Sequence, residues 1–130
     1  MKRASVAFLI ILAVVCLVSL GFAAVDKDAI KKQVDEIVAA IDGGKTADDF
    51  KDAAKREPYY VFIMKEDGML LVHPSLVGQS LKEKAAPVFD AVAKATPAGL
   101  WVDYEWQGKM KHSYVRKTKN ALIVGSGYSD

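Results

Sequence analysis

The side chains best suited to acid–base or metal chemistry near neutral pH are the two histidines, His73 and His112. Neither belongs to a His-x-x-x-His pair, and no group of carboxylates has the spacing of metal ligands. Ser75 and Ser80 lack the Gly-x-Ser-x-Gly pattern that exposes a serine nucleophile. An enzyme needs a nucleophile or base with an orienting partner, or a metal. We therefore predict no enzymatic activity, no metal and no cofactor.

Aromatic side chains offer a different chemistry, the binding of small molecules. They are concentrated in three segments with strand propensity, which carry Tyr59, Tyr60 and Phe62; Trp101, Tyr104 and Trp106; and His112 and Tyr114. Strand alternation places Tyr104 and Trp106 on one face, opposite Trp101, and places Tyr114 opposite Lys111. Two interpretations stay open: these aromatics fill a core, or they line a pocket in which Tyr, His and Lys orient a polar ligand.

The elements that would position these residues follow from the apolar spacing. Asp26 to Ile41 has helical periodicity, and Thr46 with Asp49 resembles a capping box that opens a second short helix. A third helix is expected over residues 87–94. Five strands are expected over residues 59–64, 69–73, 100–107, 110–117 and 121–128. Asp67-Gly68 marks a hairpin, so the sheet should be antiparallel with helices packed on it, an α+β domain.

The first 24 residues have a different composition. Lys2 and Arg3 precede an apolar run, and small residues end it. This pattern predicts a signal peptide over residues 1–24, cleaved near Ala23, and a single domain over residues 25–130 in the periplasm. The alternative is an uncleaved helix, Ala4 to Ala24, that anchors the protein to the inner membrane with the domain facing the periplasm.

Cysteine and charge exclude several functions of the domain. Cys16 is the only cysteine and lies in the apolar run, which leaves residues 25–130 without disulfides or thiolate sites. Two of the 18 basic residues lie in the leader, and all 16 acidic residues follow it, so the domain has no net formal charge. Without a basic surface, nucleic acid is not an expected partner.

The sequence resembles the single Cache domain, a family of extracytoplasmic sensor domains. The first half has a strand, an Asp-Gly turn, a second strand ending in His-Pro and a later Gly, over residues 60–64, 67–68 and 72–78. The second half has a Tyr in the third strand, Lys-x-x-Tyr in the fourth and a Gly-x-Gly-x-Tyr ending, over residues 99–106, 111–115 and 124–128. The similarity covers roughly residues 26–130.

The resemblance implies a PAS-like five-stranded antiparallel sheet with a long N-terminal helix on one face and a ligand pocket on the other. The family's ligands are small metabolites, often short carboxylates. Matching the motifs position by position gives the candidate ligand-binding residues His73, Tyr104, Lys111 and Tyr114, with Phe62 and Trp101 packing the apolar part of the ligand. Strict alternation would separate Lys111 from Tyr114 unless a bulge intervenes.

The expected function is therefore small-molecule binding and sensing in the periplasm, with a short organic acid as the ligand. Because no second apolar span or output module follows the domain, the signal is expected to pass to a separate membrane receptor or histidine kinase, as in chemotaxis. Alternatives are a protein–protein interaction module without a small ligand, a sensor anchored by an uncleaved N-terminal helix, and a small enzyme.

Overall fold

The structure is a computed structural model that describes residues 24–130. Residues 1–23 of the predicted signal peptide, which include Cys16 and the cleavage site near Ala23, lie outside the described residues. Within residues 24–130, every helix is too short or too polar to span a bilayer.

The N-terminal half begins with two helical segments. Helix α1 spans Lys27–Asp42, and the Asp26 carboxylate caps it by accepting a hydrogen bond from the Ala29 amide at 3.0 Å. The apolar positions of α1 are buried: Ile30, Val34, Ile37, Val38 and Ile41. The second segment, Ala47–Lys55, is a 3-10 helix. The sequence predicts a short helix here but does not specify its type. Asp49 accepts from the Thr46 amide at 2.9 Å, as the capping pattern predicted.

Five strands and two short helices complete the domain. The strands are β1 Val61–Met64, β2 Leu70–Val72, β3 Leu100–Trp106, β4 Lys109–Lys117 and β5 Ile123–Ser129. Helices α2 (Leu81–Lys84) and α3 (Ala86–Val92) lie between β2 and β3. The strand order is β2-β1-β5-β4-β3, and every pair is antiparallel. The predicted α+β class, with five strands and a long N-terminal helix, is confirmed.

The sheet separates two cores. We call the side packed against α1 and the 3-10 helix the helix face, where Val61, Ile63 and Val124 join the apolar residues of α1. We call the other side the loop face, because residues 76–95 cover it. There Phe62, Met64, Leu70, Val102, Val115 and Ile123 pack against Leu81, Val88 and Val92. Each face therefore has its own apolar support, and the sheet is buried from both sides.

Strand β5 has no side chain at two positions of the loop face. A Cβ at Gly125 would collide with the ring of Phe62, and a Cβ at Gly127 would collide with the His112 carbonyl and with Ser113. The Gly-Ser-Gly sequence thus makes room for side chains of the neighbouring strands β1 and β4.

Candidate functional site

The loop face contains a buried lysine at one end of the sheet. Lys111 lies near the start of β4, directly opposite Tyr104 of β3, and it is only 5% exposed. Its Nζ donates a hydrogen bond to the hydroxyl of Tyr60 at 2.5 Å and lies 3.9 Å from the centroid of the Tyr60 ring. Among residues 24–130, no carboxylate forms an ion pair with Lys111. A buried ammonium group without a counter-ion is uncommon, because burial strongly disfavours an unpaired charge.

Two hydroxyl groups lie on the same face beside this lysine. Tyr104 is directly opposite Lys111, and Ser113 is two residues further along β4. The Tyr104 hydroxyl and Ser113 Oγ are 3.0 Å apart, and both residues are buried. The strand alternation that places Lys111 on this face therefore also brings two polar hydroxyls to it.

His73 and Trp106 lie at the margin of this group. His73 follows β2, and its Nδ1 accepts hydrogen bonds from the backbone amides of Ser75 and Leu76 at 3.0 and 3.1 Å. Since Nδ1 is an acceptor, the ring proton of neutral His73 belongs on Nε2. The His73 ring lies edge-on to Tyr60 and Trp106, with centroids 6.0 and 6.1 Å away. The His73-Pro74 motif thus shapes the loop and places an imidazole beside Tyr60.

Burial shifts the pKa values of these groups so that the neutral form of each is favoured. It lowers the pKa of Lys111 to about 8. Burial, followed by the charge of Lys111, lowers the pKa of His73 to about 4. Burial also raises the pKa values of Tyr60 and Tyr104. At neutral pH the histidine is therefore neutral, the phenols keep their protons, and Lys111 supplies the positive charge of the group.

The six predicted site residues divide between the two faces. Phe62, His73, Tyr104 and Lys111 belong to the loop face or its margin, whereas Trp101 and Tyr114 pack on the helix face. Their ring centroids are 5.5 Å apart, and the Tyr114 hydroxyl donates to the Ala98 carbonyl at 3.2 Å. Strand β4 contains no bulge, so strict alternation separates Tyr114 from Lys111. Trp101 and Tyr114 therefore do not lie on the same face as Lys111, and a ligand role for any of the six residues stays a prediction.

Three residues of this group are absent from the predicted set: Tyr60 and Ser113 beside Lys111, and Trp106 beside His73. Alternation would have found two of them, because Trp106 shares a face with Tyr104, and Ser113 shares a face with Lys111. Tyr60 precedes β1, and no residue pattern pairs it with a lysine 51 positions away.

The other histidine, His112, lies on the helix face and belongs to a different group. Its Nδ1 is 2.7 Å from Asp103 and its Nε2 is 2.9 Å from Asp130, and its ring packs against Tyr128. The hydrogen bond with Asp103, followed by the effects of Asp130, raises the pKa of His112. Within residues 24–130 no cluster of three or more His, Cys, Asp or Glu side chains is arranged to hold a metal ion.

Comparison with known proteins places this geometry in a structural class. No family model and no curated protein matches the sequence. A crystal structure of a methyl-accepting chemotaxis protein from Vibrio parahaemolyticus is similar over 79% of this chain and 87% of that chain, with a TM-score of 0.51 and 18% identity.

Two other structures are similar over parts of their length. The extracellular domain of the putative histidine kinase mmHK1S-Z2 matches with a TM-score of 0.46 and 18% identity, over 63% of this chain and 36% of that one. The ligand-binding domain of the Pseudomonas fluorescens chemoreceptor CtaA, in complex with L-leucine, matches with a TM-score of 0.40 and 26% identity, over 60% and 34%. The chain thus spans about a third of these two structures. Together with the strand order and the covering helices, the Vibrio structure confirms the expected fold, a PAS-like five-stranded antiparallel sheet with helices packed on it.

Proposed function

We propose that this protein is a periplasmic sensor domain that binds a short organic acid on the loop face, with Lys111 as the residue that pairs with the ligand's carboxylate. The observation that supports this best is the burial of Lys111 without a carboxylate partner among the described residues. A carboxylate ligand would supply the missing counter-ion, and the resulting charge-assisted hydrogen bond would be strong in a site shielded from water.

The neighbouring groups suit a ligand with few atoms. Tyr60 contacts Lys111 directly, so a ligand carboxylate would take the place of the Tyr60 hydroxyl as acceptor for Nζ. Tyr60, Tyr104 and Ser113 provide neutral hydroxyls that donate to an anion, and neutral His73 adds an N–H at the margin. Phe62 and Trp106 offer apolar surface for the remainder of the ligand.

Binding without catalysis is the mode that this arrangement favours. Nothing in the group pairs a nucleophile with a base that is in turn oriented by a third side chain. The likeness of the fold to a domain of a chemotaxis receptor protein supports a role in sensing. We infer that a membrane receptor or a histidine kinase responds to the ligand-bound form.

Calorimetric titration of the purified domain with acetate, propionate, lactate and pyruvate tests the proposal. At least one acid should bind, and Lys111→Met should weaken its binding about tenfold or more, because a charged donor contributes about 1.5–3 kcal/mol. Lys109→Met is the matched control, since Lys109 is exposed two residues earlier on the same strand. It should bind as the unmodified protein does.

Two results would count against the proposal. If none of the organic acids binds and none raises the melting temperature, an interaction module becomes the better hypothesis. A ligand bound in a pocket must stabilise the folded state. If an acid binds equally well to Lys111→Met, the site lies elsewhere on the domain.

A further inference from the structure

We propose that Lys111 forms a reversible imine with its ligand, so that the ligand class of this site is the small oxo acids, which carry a carbonyl beside a carboxylate. This inference rests on the proposed function: the ligand's carboxylate first pairs with Nζ and then passes to the hydroxyls of Tyr104 and Ser113, which leaves the unprotonated amine facing the carbonyl. It adds a covalent step that simple acids such as acetate do not undergo.

The geometry around Nζ is that of a nucleophilic amine. Lys111 is 5% exposed, and its one hydrogen bond within residues 24–130 is donated to Tyr60. A structural lysine in a comparable position would be paired with a carboxylate, which holds the amine protonated and unreactive. Here a hydroxyl that can accept and return a proton lies against the amine, as a base or acid must in carbonyl chemistry.

In the part of the chain that the structure describes, no group that faces Lys111 is negatively charged at neutral pH. The titratable neighbours are Tyr60 before β1, His73 after β2 and Tyr104 on β3. Burial lowers the pKa of Lys111 to about 8. About one amine in ten is then unprotonated at pH 7, against roughly one in several thousand for a lysine in water. Burial of this kind activates lysines that form Schiff bases.

The chemical step balances without any redox partner. The Nζ lone pair forms a bond to the carbonyl carbon, the C=O π pair moves to oxygen, and a proton passes from nitrogen to oxygen. The carbinolamine loses its hydroxyl as water with a proton from Tyr60, while the nitrogen lone pair forms the C=N bond. The iminium nitrogen then returns a proton to Tyr60. The net change is one amine and one carbonyl giving one imine and one water.

Trapping with glyoxylate and sodium cyanoborohydride, followed by peptide mass spectrometry, tests the step. At pH 7.5 the carboxymethyl adduct should form at Lys111 at least tenfold faster than at exposed Lys109. The rate at Lys111 should level off above about pH 8, whereas the rate at Lys109 should continue to rise. Tyr60→Phe should slow the adduct at Lys111 about tenfold without changing the rate at Lys109. Labelling of Lys111 no faster than Lys109 would overturn the inference.

Acetate separates this inference from the proposed function. As a carboxylate without a reactive carbonyl, acetate should protect Lys111 from glyoxylate and form no adduct itself. If acetate raises the melting temperature through Lys111 and glyoxylate leaves Lys111 unlabelled, the anion site stands and the imine does not. If neither compound acts at Lys111, the proposed function fails as well.

Discussion

Two of the four cations on strand β4, Arg116 and Lys111, show how the faces of the sheet differ. Arg116 points to the helix face, where its Nη1 pairs with Asp35 of α1 at 3.0 Å and its Nε donates to the Pro97 carbonyl at 2.8 Å. Lys111 points to the loop face, and among the residues that the structure describes its side chain donates only to the neutral phenol of Tyr60. Within residues 24–130, Arg116 therefore has a counter-ion and Lys111 has none. The helix face therefore pairs its partly buried cation with a carboxylate, and the loop face does not, which is the basis of the anion site proposed above.

The first test concerns the glycines of β5 on the loop face, Gly125 and Gly127, where we expect the largest effect on stability. Gly127→Ala should lower the free energy of unfolding by about 3 kcal/mol or more, the upper end of the range for overpacking. The new methyl group would meet the backbone carbonyl of His112, which cannot move without disturbing the pairing of β4 with β5. Chemical denaturation measures the change.

Two variants sharpen the result for Gly127. Ser129→Ala, at an exposed position of the same strand, should change stability by less than about 0.5 kcal/mol. Adding Ser113→Ala to Gly127→Ala should not restore stability, because the collision with the His112 backbone remains. A fully stable Gly127→Ala protein would show that β4 and β5 are loosely packed on the loop face.

The second test exchanges each cation for methionine, and the two changes should have opposite signs. At pH 7, Lys111→Met should raise the free energy of unfolding by roughly 1–3 kcal/mol, because it removes a buried charge that has no counter-ion. Arg116→Met should lower the free energy of unfolding by about 1 kcal/mol, since Asp35 and the Pro97 carbonyl lose a partner at a partly exposed site.

The pH dependence of the free energy of unfolding tests whether the buried charge of Lys111 causes the effect of Lys111→Met. The folded-state pKa of Lys111, about 8, lies below its ordinary value of 10.5, so the unfolded chain binds more protons between these values. The stability of the wild type should therefore rise relative to Lys111→Met as the pH increases from about 8 to 10.5. Denaturation curves at several pH values measure the difference. A destabilised Lys111→Met at pH 7 would contradict the unpaired state of this lysine.

Most of the fold follows from patterns that are local in the sequence. The apolar spacing of α1 and the Asp67-Gly68 turn each specify an element through neighbouring residues, and the structure confirms both. The 3-10 geometry of Ala47–Lys55 was not expected, because the capping residues Thr46 and Asp49 suit either type of helix. The strand order also required the resemblance to a known family, since β1 pairs with β5 across more than fifty residues.

The candidate site was predictable only as far as strand alternation extends. Alternation alone separates Lys111 from Tyr114, and the structure shows that no bulge overrides it. The contact between Lys111 and Tyr60, by contrast, does not follow from alternation within one strand. Tyr60 approaches Nζ because β1 and β4 both flank β5, which is a property of the sheet and not of any nearby residues. Contacts of this type become visible only when the strand order is known.

The last and smallest effect concerns the two histidines, whose pKa values are shifted in opposite directions on the two faces. Burial lowers the pKa of His73 to about 4, and the hydrogen bond with Asp103 raises the pKa of His112 above its ordinary value of 6.5. Protonation of His73 would remove the acceptor of the Ser75 and Leu76 amides, so its stabilisation is lost as the pH falls from 6.5 to 4. The stabilisation from His112 is complete below pH 6.5 and is lost as the pH rises through its folded-state pKa.

His73→Asn keeps a side-chain acceptor for the turn and should make the protein less sensitive to acid, by about 1–2 kcal/mol between pH 6.5 and 5. His112→Gln should cost less than about 1 kcal/mol, only at lower pH, because its two carboxylate partners are largely exposed. NMR titration of the two imidazoles measures both pKa values directly, and two histidines that titrate together near pH 6.5 would show that the two faces provide the same environment.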